Sequence, residues 1–168
     1  MKTKIIPFIS QEALQKRVQE LGAYIARKHP KKEILLVAFD ENETPFIQDL
    51  KQSIGERAKI ASLNSRASVG YEPSENWCIL LVHYLIESGE RLEQVYKKYQ
   101  DYQMFQRSES DDGSIFSVSL LQRMTSTEII REPDYLGFSI PDECVVGYGM
   151  GIQGEYDSLP HIAIYDAS

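Results

Sequence analysis

CILLVHYLIESGERL, residues 78–92, changes its period in the middle. Four apolar residues, Ile79 to Val82, are followed by His83 and Tyr84, and then Leu85 and Ile86 lead into Glu87-Ser88-Gly89. An apolar run of this length, bounded by turn residues, reads as a strand buried on both faces. Past Gly89 the spacing lengthens, and Leu92, Val95, Tyr96, Tyr99 and Tyr102 mark the apolar side of a helix. The stretch predicts a strand, a tight turn and a helix start. Such a corner leaves the first N–H groups of the helix without intrahelical acceptors and adds the positive end of the helix dipole, so it suits a phosphate.

The same unit recurs on either side. Upstream, EILLVAF (Glu33 to Phe39) is a second buried run; Thr44-Pro45 then offers a cap and a proline at the first helical position, and Phe46, Ile47, Leu50 and Ile54 continue to Gly55. Ser10 caps an earlier helix whose stripe, Leu14, Val18, Leu21 and Ile25, ends near His29-Pro30. AKIASL (Ala58 to Leu63) is a shorter strand, followed by a polar stretch through Asn76 that reads as a hairpin or loop. Downstream come SIFSVSLL (Ser114 to Leu121), YLGFSI and CVVGYG, the last two separated by Pro141-Asp142. Strands alternating with helices imply an α/β fold with a mainly parallel sheet covered on both faces. Ligands of such sheets bind at the carboxyl ends of the strands, where Asp40 to Thr44, Glu87 to Arg91 and Gln122 to Met124 fall.

Bulk composition narrows the function. A chain of 168 residues with 42% apolar and 26% charged residues is expected to form one domain with a core that needs no disulfide or metal. A net charge of −7 argues against a general nucleic-acid binder, which draws its affinity from lysine and arginine. The basic run RKHPKK (Arg27 to Lys32) reads as a helix C-terminus favoured by its dipole. No stretch has the apolar length of a membrane span, and MKTKIIPFIS lacks the features of a secretory signal, so the expected location is the cytoplasm. Cys78 and Cys144 both lie in apolar runs and read as buried free thiols. GMGIQG (Gly149 to Gly154) matches a dinucleotide-binding pattern by letter, but the fourteen residues that follow Gly154 in a chain of 168 are too few for the rest of that unit.

Specific residues go further. From ISQEALQKRVQELGAYIARKHPKKEILLVAF through TPFIQDL, LIESG and LLQR to PDYLGFSIPDECVVGYGMGIQGEYDSLPHIAI, the chain resembles the hypoxanthine-guanine phosphoribosyltransferases over nearly its whole length and in unbroken order. The resemblance implies the type I phosphoribosyltransferase fold with a small, reduced hood, and transfer of ribose 5-phosphate from phosphoribosyl pyrophosphate to a purine with magnesium. It also implies self-association, as a dimer or tetramer.

Carried over residue by residue, the resemblance places a phosphate-binding corner at Glu87, Ser88, Gly89, Glu90 and Arg91, with Glu87 as the catalytic acid-base group. It places Arg123, Cys144 and Val145 on the purine side. Several positions depart from the family pattern. The paired acids that hold the ribose hydroxyls fall on His83 and Tyr84. The Lys-Gly pair near pyrophosphate falls on Glu41 and Asn42, within the acidic DENE (Asp40 to Glu43). The mobile lid falls on Ser68-Val69 in a shortened segment, and the magnesium-holding aspartate falls on Gly151. The lysine for the purine carbonyl becomes Arg123, which keeps a donor with different geometry, and the stacking aromatic becomes Cys144. Each hydrogen bond to a charged group contributes about 1.5–3 kcal/mol, so losing both sugar-binding acids removes roughly 3–6 kcal/mol, on the order of 10²- to 10⁴-fold in binding or rate.

This pattern favours a family member without normal transferase activity that binds a purine nucleotide or phosphate, or another protein, in a regulatory or structural role, with no metal site of its own. The alternatives are a divergent, active purine phosphoribosyltransferase using magnesium, and a different enzyme on the same scaffold. His83 reads as a buried histidine more readily than as a metal ligand, since neither His29 nor His161 has ligand spacing to it. Tyr84 reads as a plug in the vacated sugar site.

Overall fold

The computed structural model describes residues 3–38, 44–62, 77–106 and 115–167, and of residues 62 and 99–106 only the backbone. In chain order the elements are β1 (Lys4–Ile9), α1 (Gln11–Lys28), β2 (Glu33–Ala38), α2 (Pro45–Ile54), β3 (Ala58–Ser62), β4 (Trp77–Ile86), α3 (Glu90–Gln106), β5 (Ile115–Arg123), β6 (Tyr135–Ile140), β7 (Val145–Val146) and β8 (Ile162–Asp166). Five strands form a wholly parallel sheet in the order β3-β2-β4-β5-β6. β1, β8 and β7 form a small antiparallel sheet.

The side-chain period of two sorts the parallel sheet into two faces. Ile34, Leu36, Cys78, Leu80, Val82, Val118 and Leu120 pack with Leu14, Val18, Leu21 and Ile25 of α1 and Phe46, Ile47 and Leu50 of α2. On the other face Leu35, Val37, Ile79, Leu81 and Ile115 meet Leu92, Val95 and Tyr96 of α3. β4 lies in the middle with both faces covered, which is why residues 78–82 read as an unbroken apolar run.

Polar contacts fix the edges. Ser10 caps α1 by accepting from the Ala13 N–H at 3.2 Å. Arg57 closes the other end, donating to the carbonyls of His29 and Lys32 at 2.8 Å and Ala26 at 3.2 Å. Arg17 donates to the Leu136 and Gly137 carbonyls of edge strand β6 at 2.8 and 2.9 Å, occupying groups that an edge otherwise offers to other chains. Asp134, just before β6, accepts from the Ser117 N–H at 2.7 Å and hydroxyl at 2.9 Å, and so clips β6 onto β5.

Three expectations need correction. Cys144 is exposed, because it sits on the turn after β6; only Cys78 is a buried thiol, with burial pushing its pKa up to about 12. CVVGYG supplies only the two residues of β7, after which the chain turns tightly at Gly147–Met150. β1 and β8, to which no strand was assigned, build most of the small sheet. No described helix is long and apolar enough to cross a membrane.

Candidate active site

The carboxyl edge of the parallel sheet gathers the end of β4, the end of β5 and the start of α2. β4 ends in a tight corner: Ser88 is half-buried, Gly89 is buried at φ +75°, and α3 begins at Glu90. The Ser88 hydroxyl accepts from the Glu90 N–H at 3.4 Å, a local turn contact, while Glu90 and Arg91 are exposed.

Glu87 and Arg123, assigned to different roles by sequence, meet here. The Arg123 guanidinium donates through Nη1 to Glu87 Oε1. Arg123 is largely enclosed, its side chain 18% exposed against 55% for Glu87. Asp142, from the turn that carries Cys144, stands 4.0 Å from Arg123 Nε. The planar guanidinium thus holds a carboxylate while keeping further N–H donors in a fixed fork. A carboxylate beside a fixed cation can exchange a proton and polarise a carbonyl placed between them.

The two residues in place of the paired acids are neutral. His83 is buried, and burial, with the nearby Arg91 charge second, pushes its pKa down to about 3. Tyr84 lies on the other face of β4, edge-on to Phe46 at 6.1 Å and to Tyr148 at 6.2 Å between ring centres. Its hydroxyl is buried without a hydrogen-bond partner among the described residues, and burial, then Tyr148 and Asp49, holds its pKa far above the ordinary phenol value. Tyr148 donates to Asp49 Oδ2 at 2.5 Å. Gly149, at φ +98°, lies so close to Pro45 that a Cβ there would stand 2.6 Å from its Cδ. An aromatic group therefore joins β4, α2 and the turn after β7.

Of the remaining candidates, Val145 is buried and pairs with Ile164 in the small sheet, so its side chain belongs to the core. Glu41, Asn42, the rest of DENE, and Ser68-Val69 lie outside the described residues. Asp49, Asp142 and Arg131 were not singled out from sequence. Asp49 stands four residues after Pro45 on the helix face that meets the turn, a spacing that offered a faint signal; Arg131 offered none. Among the described residues no three His, Cys, Asp or Glu side chains converge, Gly151 has no side-chain ligand atom, Glu87 is held by Arg123, and Asp49 accepts from Tyr148.

No family model matches the sequence. The hypoxanthine phosphoribosyltransferase of Buchnera aphidicola subsp. Schizaphis graminum is 30% identical over 178 residues, covering 96% of each chain. This chain belongs to the hypoxanthine-guanine phosphoribosyltransferase family. The bifunctional protein TilS/HprT of Listeria innocua is 29% identical over 93% of this chain, which spans only about a quarter of that longer protein (25%). Among solved structures, a hypoxanthine-guanine phosphoribosyltransferase from Bacillus anthracis superposes with a TM-score of 0.82 at 24% identity, covering 98% of this chain and all (100%) of that one. That likeness carries the fold: a parallel sheet with helices on both faces and a small hood sheet.

Proposed function

We propose that this family member binds a purine nucleotide at the carboxyl edge of its parallel sheet, and that its transfer of ribose 5-phosphate is depressed by roughly 10²- to 10⁴-fold, the range set by the two missing charged hydrogen bonds. The observation that carries the reading is the contrast between the two ends of the site. At the purine end, Glu87 and Arg123 are joined in an ion pair. At the sugar end, a neutral buried imidazole and an aromatic ring stand where acids are expected. The Ser88-Gly89 corner with Arg91 takes the phosphate, with Glu87 and Glu90 framing it. Cys144, exposed on the turn with Asp142, edges the purine side. Magnesium belongs only to a catalysing form.

Calorimetric titration with inosine monophosphate tests the binding, and Arg91→Ala is expected to weaken it about tenfold; equal, negligible binding by parent and variant rejects the cradle. A purine-dependent assay with phosphoribosyl pyrophosphate and magnesium, at high protein concentration, tests the rate. A second reading, an active purine-salvage enzyme, is favoured by relatives that carry the enzyme's name and by retention of a carboxylate at Glu87. Nucleotide synthesis at the family's ordinary rate, abolished by Glu87→Ala, selects it.

A further inference from the structure

The phosphate corner is held from outside its own helix. The Ser88 carbonyl accepts from two N–H groups of the segment that leaves β5, Ile130 at 2.8 Å and Arg131 at 3.3 Å. All described peptide bonds are trans, so the Gly89 N–H points opposite to that carbonyl, away from residues 130 and 131. The approach is close: a Cβ on Gly89 would lie 1.9 Å from the Arg131 carbonyl oxygen. The Arg131 side chain continues onto α3. Its guanidinium stacks 3.6 Å from the centre of the Tyr96 ring, and Nη1 donates to Glu93 Oε2 at 2.7 Å. One residue thus grips the corner through its backbone and the first two turns of α3 through its side chain. α3 needs such a hold, since among its described side chains only Leu92 is fully buried.

We infer that Arg131 is a positioning residue for the phosphate corner, orienting the Gly89 N–H and the first amides of α3 toward one point. This rests on the phosphate-binding reading above. Arg131 touches the helix and the corner, and acts on the ligand only through them. Its loss lets α3 tilt about Leu92 and spreads the donors.

The test uses the full chain as parent, Arg131→Ala and Arg131→Lys, titrated calorimetrically with inosine monophosphate and with hypoxanthine, alongside amide hydrogen exchange. Arg131→Ala is expected to weaken inosine monophosphate by about tenfold and leave hypoxanthine unchanged. Exchange of the Glu93 to Tyr96 amides should rise while that of β4 and β5 stays. Arg131→Lys, which keeps the ion pair but loses the planar stack, should recover part of both effects. Parallel weakening of the two ligands, or unchanged exchange in α3, overturns the inference. If the parent binds neither ligand, the phosphate reading falls by itself, and the exchange data alone decide whether Arg131 holds the corner. Should Arg131→Ala fail to fold, Glu93→Gln takes its place, with a smaller loss of about threefold expected and unaltered exchange counting against the idea.

Discussion

At the end of β4 the chain carries an imidazole that is only 7% exposed and that burial, aided by Arg91, keeps neutral down to about pH 3. In the unfolded chain the same group titrates near 6.5. Between those values the unfolded state binds a proton that the native state refuses, so stability is constant above about pH 6.5 and falls as pH drops below it. At about 1.4 kcal/mol per unit, the cost reaches roughly 2 kcal/mol by pH 5. His29 works in the same direction, lowered by burial and then by Lys32, Arg57 and Lys28, so the parent must be compared with His83→Gln. Urea unfolding at pH 7 and pH 5 should show the parent losing about 2 kcal/mol more than the variant; identical losses would mean an imidazole that titrates normally. An imidazole supplies no negative charge to a sugar or a metal in either protonation state, so the proposed loss of rate rests on the residue type and this measurement tests its burial. Gly89 makes a second residue-scale case. With φ at +75° and the Arg131 carbonyl in the way, Gly89→Ala is expected to cost at least about 2 kcal/mol by thermal or urea unfolding, and a cost under about 0.5 kcal/mol would mean the segment yields easily.

Among the elements, β6 is held by a polar clip as well as by packing, with Ile140 in the core and Tyr135 and Phe138 against it. It is an edge strand, and Asp134 ties its start to Ser117 of β5 through three hydrogen bonds: two that its carboxylate accepts and one, at 3.1 Å, from its own N–H to the Ser117 hydroxyl. Asp134→Ala removes the accepted pair, one of them from a buried N–H, and is expected to cost about 2 kcal/mol, with faster amide exchange along β6 but not β2. Unchanged exchange in β6 would show the clip to be ornamental. This also marks what sequence made legible. The capped stripes of α1 and α2 and the apolar run of β4 declare themselves because each is local in the chain and buried along one period. β1 did not, since Pro7 interrupts it and its partner β8 lies at the far end of the chain, pairing Lys4 with Asp166 and shifting register between Pro7 and Ile9. At the candidate site, the strand, turn and helix start that carry Glu87 to Arg91 were legible from the change of period, and Arg123 sits at the end of β5. The ion pair between Glu87 and Arg123 was not legible, nor was Arg131, because those contacts exist only once β4, α3 and β5 are set side by side.

Across the molecule, the two sheets share one core: Ile9, Val145 and Ile162 of the small sheet lie in the same cluster as Leu14, Phe46 and Val118. Apolar contact alone leaves their relative orientation loosely specified, since it has no direction. A directional link among the described residues is Tyr148. Its backbone sits at φ +52°, unusual for a residue with a side chain, in the turn that follows β7, and its hydroxyl reaches Asp49 on α2. Burial first, and then that bond, hold its pKa far above the ordinary phenol value, so the hydroxyl stays a donor throughout the physiological range. Tyr148→Phe keeps the ring, its packing against Tyr84 and the turn, and deletes only the link. The expected result is a loss of about 1–2 kcal/mol, with faster exchange confined to the Gly147 to Met150 turn and β7, while β2 and β4 are protected as before. The same variant should weaken inosine monophosphate by a few-fold at most, because Glu87, Arg123 and the Ser88-Gly89 corner belong to the parallel sheet. A tenfold or greater loss of that ligand would instead put the small sheet's turn in direct control of the site, and would require the aromatic junction around Tyr84 to be a working part of it.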